Sequence, residues 1–189
     1  MLSSSVSAEM FARLTLRTDQ TEGLASIVRH LQRPRTRGHI VRACGTGKTL
    51  IALRAAEELH AAYLAVAVPS LDLIAQCAAA ARADGRREPM ITVSSMRAEK
   101  HPLLAEAQVA STNSGEYLAY WLARHRQATV FFTYDSLSKI EEAQHSALFP
   151  PPVFDLLVVD EAHATAGRGR RTGPHCTTTR ASPPTAACT

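Results

Sequence analysis

The sequence lacks the features expected of a secreted protein, of a protein stabilised by a structural metal ion or disulfides, and of a membrane-spanning protein. Its four cysteines, at positions 44, 77, 176 and 188, have no paired spacing, which argues against a structural zinc site and a disulfide framework. No basic region followed by an apolar run stands near the first residue, so we expect no secretory signal and, by default, a cytoplasmic location. The most apolar window, residues 61–81, is interrupted by proline and polar residues. It therefore predicts a strand, a turn and a helix rather than a membrane span.

Lysine is scarce as well, and the net positive charge is confined to one end of the chain. Three of the 21 basic residues are lysines and the others are arginines. Four arginines and no acidic residue follow Glu161, so the charges before that point balance and the surplus of +4 belongs to the tail. Net charge is therefore weak evidence for a nucleic-acid-binding face.

The remaining pattern predicts one α/β domain. A chain of 189 residues with 46% hydrophobic content can build a sizeable core. From Leu14 to about Val159, short apolar runs alternate with helical patterns, which favours a mainly parallel sheet flanked by helices. The predicted strands are His39–Ala43, Tyr63–Val68, Met90–Ser94, Thr129–Thr133 and Leu156–Val159. The predicted helices are Thr21–Leu31, Lys48–His60, Leu71–Ala83, Ser114–His125 and Ser136–His145, with a long loop at Ser95–Asn113.

Residues 168–189 differ in composition from the segment before them. They are rich in Thr, Pro, Ala and Arg without periodicity, which predicts a disordered tail where a sixth strand would be expected. An alternative is a frameshift between about Arg168 and Thr172, because GC-rich codons chosen for this tail can encode a folded-protein sequence in another frame. We therefore divide the chain into an extension (1–13), an α/β domain (14–167) incomplete at its C-terminus, and a tail (168–189).

A glycine-containing loop between a predicted strand and a predicted helix has the pattern of a phosphate-binding loop. It reads Arg42-Ala43-Cys44-Gly45-Thr46-Gly47-Lys48-Thr49, and residues Cys44 to Thr49 are the expected nucleotide contacts. Its glycines let successive N–H groups point at an anion, and the next helix adds its positive N-terminal end. Lys48 is expected to reach the β- and γ-phosphates, and the Thr49 hydroxyl to bind Mg²⁺. Arg42 stands where the strict pattern has glycine, so the loop is a variant; the alternative is an ordinary turn before a helix.

A second pattern places two acids directly after an apolar strand. The segment ends in Val158-Val159-Asp160-Glu161-Ala162-His163. In a parallel sheet, ligand-binding residues gather beyond the carboxyl ends of strands, which predicts that Asp160 lies beside the phosphate-binding loop. Asp160 is then suited to hold Mg²⁺, and Glu161 to orient and deprotonate the attacking water. The alternative is a solvated acidic turn.

With both patterns in this order, the chain resembles the DEAD/DEAH-box helicases of superfamily two, and among them the branch that contains helicase subunits of restriction enzymes. The resemblance covers Leu16 to Gly167 and implies the first RecA-like P-loop domain of such a motor. It further implies ATP and Mg²⁺ as ligands, DNA rather than RNA as the nucleic acid, and restriction-system or helicase subunits as partners, with no membrane.

The resemblance assigns roles to further residues. Gln20 stands where the family recognises adenine, and the alternative is an ordinary polar residue at a helix start. His163 corresponds to the residue that links ATP state to the next motif and the partner domain. Two elements resemble those that contact nucleic acid, although a strand followed by a capped helix would look the same; their residues are Pro69, Ser70, Thr133 and Tyr134.

The family hydrolyses ATP between two RecA-like domains, and the second supplies an arginine that stabilises the transferring phosphoryl group. A chain that ends after the first domain is therefore expected to bind nucleotide but to hydrolyse it slowly. Two alternatives stay open at this point. One is a non-helicase P-loop ATPase or regulatory module that signals nucleotide state, and the other is a non-functional fragment of a frameshifted helicase gene.

Overall fold

A computed structural model describes residues 13–33, 35–38, 40–41, 46–95, 101–160 and 178–180. The strands in these residues are β1 (Arg37–Gly38), β2 (Tyr63–Val68), β3 (Met90–Val93), β4 (Val109–Thr112), β5 (Ala128–Thr133), β6 (Leu156–Val159) and β7 (Thr178–Arg180). The helices are α1 (Thr18–Leu31), α2 (Lys48–Glu58), α3 (Leu71–Ala83), α4 (Pro102–Glu106), α5 (Gly115–Ala123) and α6 (Leu137–Gln144), and a 3₁₀ helix (Tyr134–Ser136) precedes α6.

The strands form one sheet in the order β1-β7-β6-β2-β5-β3-β4. Strands β6, β2, β5, β3 and β4 are mutually parallel, whereas β7 pairs antiparallel with β6 and β1. In the central strands, Val68 of β2 pairs with Thr133 of β5, and Ala67 of β2 pairs with Val159 of β6. The chain therefore leaves β6, β2 and β5 at one edge of the sheet, with β2 in the middle.

Helices cover both faces of the sheet, which explains why the central strands are almost continuously apolar. Alternate residues of β2 supply the two cores, since successive side chains of a strand point to opposite faces. On one face, Val66 and Val68 pack with buried residues of α1, α2 and α3 such as Leu31. On the other face, Ala65 and Ala67 belong to a cluster that includes residues of α5, β5 and α6.

The structure confirms most of the predicted elements. The bounds of β2, α3 and β6 agree with the prediction, and those of α1, α2, α5, α6, β3 and β5 differ from it by one to three residues at their ends. The apolar window at residues 61–81 is divided between β2 and α3. Within the described part of the chain, no helix is both long and apolar enough to cross a bilayer.

Three predictions about secondary structure were wrong. The strand expected at His39–Ala43 lies earlier, at Arg37–Gly38, where the main chain pairs with β7; the described Ile40 and Val41 are outside any strand. The predicted loop Ser95–Asn113 contains α4 and β4. Strand β4 is formed by pairing of four residues with β3, and those four residues have no sequence pattern typical of a strand. Residues 178–180, expected to be disordered, form β7, and the rest of that tail lies outside the described residues.

Candidate nucleotide-binding site

The described end of the phosphate-binding loop leads directly into α2. Gly47 caps this helix in a left-handed conformation with φ of 79°, and its carbonyl accepts the first helical hydrogen bond from Ile51 at 3.1 Å. Lys48 and Thr49 are half-buried in the first turn. The first N–H groups of an α-helix have no partner within the helix and are suited to an anion, so the start of this 11-residue helix fits a phosphate ligand. Cys44 and Gly45 lie outside the described residues.

Two side chains from the start of α1 are hydrogen-bonded to this loop at the carbonyl of Thr46. Thr46 O accepts hydrogen bonds from Nε2 of Gln20 at 3.0 Å and from Nη2 of Arg17 at 3.2 Å. Gln20 is 4% exposed, so this contact is largely shielded from water. The two donors occupy both lone pairs of the carbonyl and thereby fix the orientation of the peptide bond that precedes the helix cap.

The amide of Gln20 also has a second partner. Its Oε1 accepts a hydrogen bond from the backbone N–H of Arg17 at 2.9 Å, which is the bond expected of a polar residue at a helix start. Gln20 therefore fulfils that structural role and holds the phosphate-binding loop as well. A side-chain amide has two N–H groups and two lone pairs, so each end retains capacity for one further bond. Recognition of adenine stays a prediction.

Asp160 lies at the carboxyl end of β6, on the sheet edge where β2 and β5 also end. Its backbone N–H donates to Ala67 O at 2.9 Å, and its carbonyl accepts a hydrogen bond from the hydroxyl of Tyr134. The main chain is thus held on both sides of the residue. Glu161 and His163 lie outside the described residues, so their expected roles stay predictions.

Cys77 of α3 lies beside Thr49. Its thiol lies 4.0 Å from the hydroxyl of Thr49, and it is 3% exposed. Burial raises the pKa of this thiol from 9.0 to about 11; the hydrogen bond with Thr49 opposes the shift, and the negative charge of Asp160 adds to it. The thiol therefore contacts Thr49 and lies within the electrostatic influence of Asp160. Sequence analysis assigned Cys77 no role, and no local pattern marks it.

The two expected nucleic-acid elements leave the sheet side by side, because they follow the neighbouring strands β2 and β5. After β2, Pro69 leads to Ser70, whose hydroxyl caps α3 by accepting a hydrogen bond from the Leu73 N–H at 3.3 Å. After β5, the hydroxyl of Thr133 lies 3.1 Å from that of Ser136. Ser70 is thus an ordinary helix cap, whereas the Thr133 hydroxyl makes no capping bond to the backbone. Contact with nucleic acid stays a prediction for both elements.

Residues 13–177 match the family model for the type III restriction enzyme, res subunit, known as ResIII. The chain belongs to the ResIII family. This match extends ten residues beyond Gly167, the predicted end of the domain. Among curated proteins, the comparison finds no match.

The ResIII domain also has a structural relative among restriction enzymes. The fold is similar to that of a nuclease-deletion mutant of the Type ISP restriction-modification enzyme LlaGI, solved in complex with a DNA substrate mimic. The TM-score is 0.68 at 26% sequence identity. The similarity covers 79% of this chain and 15% of that enzyme. The ResIII domain is therefore a helicase-like α/β domain with the mainly parallel sheet expected of a RecA-like fold.

Proposed function

We propose that this ResIII domain binds ATP with Mg²⁺ and serves as the motor domain of a DNA helicase or translocase. The observation that carries the proposal is the position of Thr49 in the first turn of α2, after the left-handed Gly47, together with that of Asp160 at the carboxyl end of β6 beside β2. A hydroxyl and a carboxylate near a helix N-terminus are the groups that a nucleotide triphosphate and its metal require.

In this proposal each residue has a distinct task. Lys48 pairs with the β- and γ-phosphates, and the loop from Cys44 to Gly47 surrounds them with backbone N–H groups. The hydroxyl of Thr49 and the carboxylate of Asp160 would hold Mg²⁺, which supplies neutralisation of phosphate charge when bound. Glu161 orients the attacking water and accepts its proton.

The nucleic acid is proposed to cross the edge formed by the ends of β2 and β5. Ser70 and Thr133 place hydroxyls and helix starts at this edge, and such groups bind phosphates of a nucleic-acid backbone. DNA is favoured over RNA because the similar restriction enzyme was solved with a DNA substrate mimic. Other subunits of a restriction system are the corresponding protein partners.

Thermal or urea unfolding with and without ATP and Mg²⁺ tests the nucleotide site. A ligand at 100 times its dissociation constant stabilises the folded state by about 2.7 kcal/mol. We expect Lys48→Ala to remove this stabilisation. Lys139→Ala is the matched control, because Lys139 is 43% exposed and pairs with Glu142 on the surface of α6. Equal stabilisation of both variants by ATP would contradict the assignment of the site.

Binding of a fluorescein-labelled DNA oligonucleotide, followed by fluorescence anisotropy, tests the second half of the proposal. We expect the affinity to fall with salt, as it does whenever phosphates are neutralised by a protein. The affinity should also differ between the nucleotide-free domain and the domain saturated with a non-hydrolysable ATP analogue and Mg²⁺. Nucleotide binding without measurable DNA binding would instead support the regulatory module that signals nucleotide state.

A further inference from the structure

Tyr134 joins two segments that are separate in the sequence and in function. Its hydroxyl donates a hydrogen bond to the backbone carbonyl of Asp160, a residue 26 positions later. Tyr134 follows β5 and Asp160 follows β6, and β2 lies between those two strands in the sheet. The side chain therefore spans the end of the central strand and connects the element after β5 with the acidic end of β6.

At Asp160, the hydrogen bond from Tyr134 is the second of two that hold the main chain in place. The N–H of Asp160 is held by Ala67 O at 2.9 Å, and the carbonyl is held by Tyr134. That carbonyl belongs to the peptide bond that continues into Glu161. A change in the position of the Tyr134 hydroxyl would therefore alter the main chain at Asp160, whose carboxylate is proposed to hold Mg²⁺.

On the side of the nucleic-acid element, Tyr134 is the first residue of the 3₁₀ helix. Its ring is partly buried and packs against the core cluster that contains Phe132 and Leu122. Thr133 and Ser136 on either side are joined through their hydroxyls at 3.1 Å. The ring is thus part of a packed unit, and a movement of residues 133–136 would carry the hydroxyl with it.

The bond to Asp160 also decides how Tyr134 can interact with nucleic acid. A tyrosine hydroxyl has one proton to donate, and phosphate oxygens only accept hydrogen bonds. While Tyr134 donates to Asp160 it cannot donate to a phosphate. The sequence-based assignment of Tyr134 as a direct contact to nucleic acid therefore competes with the bond in the structure.

We propose that Tyr134 is a positioning residue that couples nucleic-acid binding at residues 133–136 to the geometry of Asp160; this rests on the proposed function. Coupling between two sites requires an element whose arrangement both ligands influence, and the effect on the two affinities is reciprocal. Tyr134 supplies that element, because it is packed into one segment and bonded to the other. A nucleotide that shifts Asp160 would thereby change the affinity for DNA.

Tyr134→Phe is the direct test, since it removes the hydroxyl and keeps the ring. DNA affinity is measured by anisotropy without nucleotide and with a saturating non-hydrolysable ATP analogue and Mg²⁺. In the wild-type chain we expect these affinities to differ by a factor within about 5 to 150, the usual range of coupling between sites. In Tyr134→Phe the factor should fall to about 1, while the affinity for DNA without nucleotide and the affinity for nucleotide without DNA each change less than about twofold. Tyr117→Phe is the matched control, because Tyr117 is 47% exposed on α5.

The possible results separate this inference from the proposed function. Retention of the wild-type factor by Tyr134→Phe overturns the inference, as does a wild-type chain that binds both ligands without any coupling. Weaker DNA binding by Tyr134→Phe in the absence of nucleotide also overturns it, because that result identifies a direct contact. Failure of the wild-type chain to bind nucleotide or DNA overturns the proposed function, and this inference with it.

Discussion

Gly47 and Gln20 are fitted to each other: a Cβ atom on residue 47 would lie 2.5 Å from Nε2 of Gln20. Gly47 also has a φ of 79°, a conformation that L side chains rarely adopt. The glycine of the phosphate-binding loop is therefore required for its backbone and for the space that Gln20 occupies. The two residues join α1 to α2 at the proposed phosphate site.

Gly47→Ala is expected to destabilise the domain and to weaken nucleotide binding. The left-handed conformation alone costs about 1–2 kcal/mol for a residue with a Cβ atom. The methyl group must in addition push the Gln20 side chain away from Thr46, at a cost of about 1 kcal/mol for the lost hydrogen bond. Urea unfolding measures the sum.

Gly85→Ala is the control for this substitution. Gly85 has a φ of 88°, and a Cβ atom there would meet nothing within 4 Å. It should therefore show only the backbone cost. If both variants lose the same free energy of unfolding, the contact between Gly47 and Gln20 contributes nothing, and a Gly47→Ala, Gln20→Ala double variant should then show additive losses.

Gln20→Ala is expected to weaken binding of ATP more than binding of inorganic tripolyphosphate. Both ligands depend on the loop that Gln20 holds through Thr46, but only ATP carries a base. Each lost hydrogen bond is worth about 0.5–1.5 kcal/mol, or about 2- to 10-fold in affinity. Thr21→Ala controls for the helix start, because the exposed Thr21 hydroxyl bonds only locally to Arg17 O. Equal losses for both ligands would show that Gln20 holds the loop without recognising adenine.

The sequence predicted those parts of the fold that are encoded locally. Strand β2 and helix α3 were predicted with their bounds because a continuous apolar run and a capped 13-residue helix are separated by Pro69 and Ser70. Strands β4 and β7 were missed. They are short, and their pairing with β3, β1 and β6 depends on partners distant in the chain.

In the candidate site, too, the residues of local sequence motifs were predicted, whereas contacts between distant segments were not. The loop around Lys48 and the acids after β6 follow from sequence motifs, and the order of the strands brings Asp160 to the shared edge. The roles of Cys77 and Tyr134 could not be predicted, because their contacts with Thr49 and Asp160 arise only when β6, β2 and β5 are neighbours. Gln20 was found, but its bond to Thr46 depends on how α1 packs on α2.

Asp155→Ala is expected to destabilise the domain. Asp155 lies beside the start of β2, at the edge of the sheet opposite to the candidate site. The Asp155 carboxylate accepts hydrogen bonds from the N–H groups of Ala62 and Tyr63, both at 2.9 Å. Its removal leaves two partly buried donors at the start of β2 without that acceptor, at a cost of about 2–4 kcal/mol in total. Asp155→Asn retains an acceptor oxygen and should lose about 1 kcal/mol. Chemical denaturation measures both, and similar losses for the two variants would contradict this role for the carboxylate.

Glu88 is expected to make the stability of the domain depend on pH in the acidic range. Its side chain is 10% exposed and accepts hydrogen bonds from Arg86 and from Thr129 Oγ1. Burial alone would raise the pKa of this carboxyl, but the charge and hydrogen bond of Arg86, with the hydrogen bond of Thr129, outweigh it and hold the pKa below the ordinary 4.5. The unfolded chain therefore binds a proton at higher pH than the folded domain does.

It follows that the stabilisation from Glu88 is fully present above pH 4.5 and is lost as the pH falls through the lower pKa of the folded state. Glu88→Gln cannot titrate, so its free energy of unfolding should decline less steeply than that of the wild-type chain as the pH falls below 4.5. Thr129→Val keeps the carboxylate but removes one donor, and its pH dependence should be intermediate. Urea titrations at a series of pH values measure the three slopes. Equal slopes for Glu88→Gln and the wild-type chain would show that Glu88 is not held in its charged form by these partners.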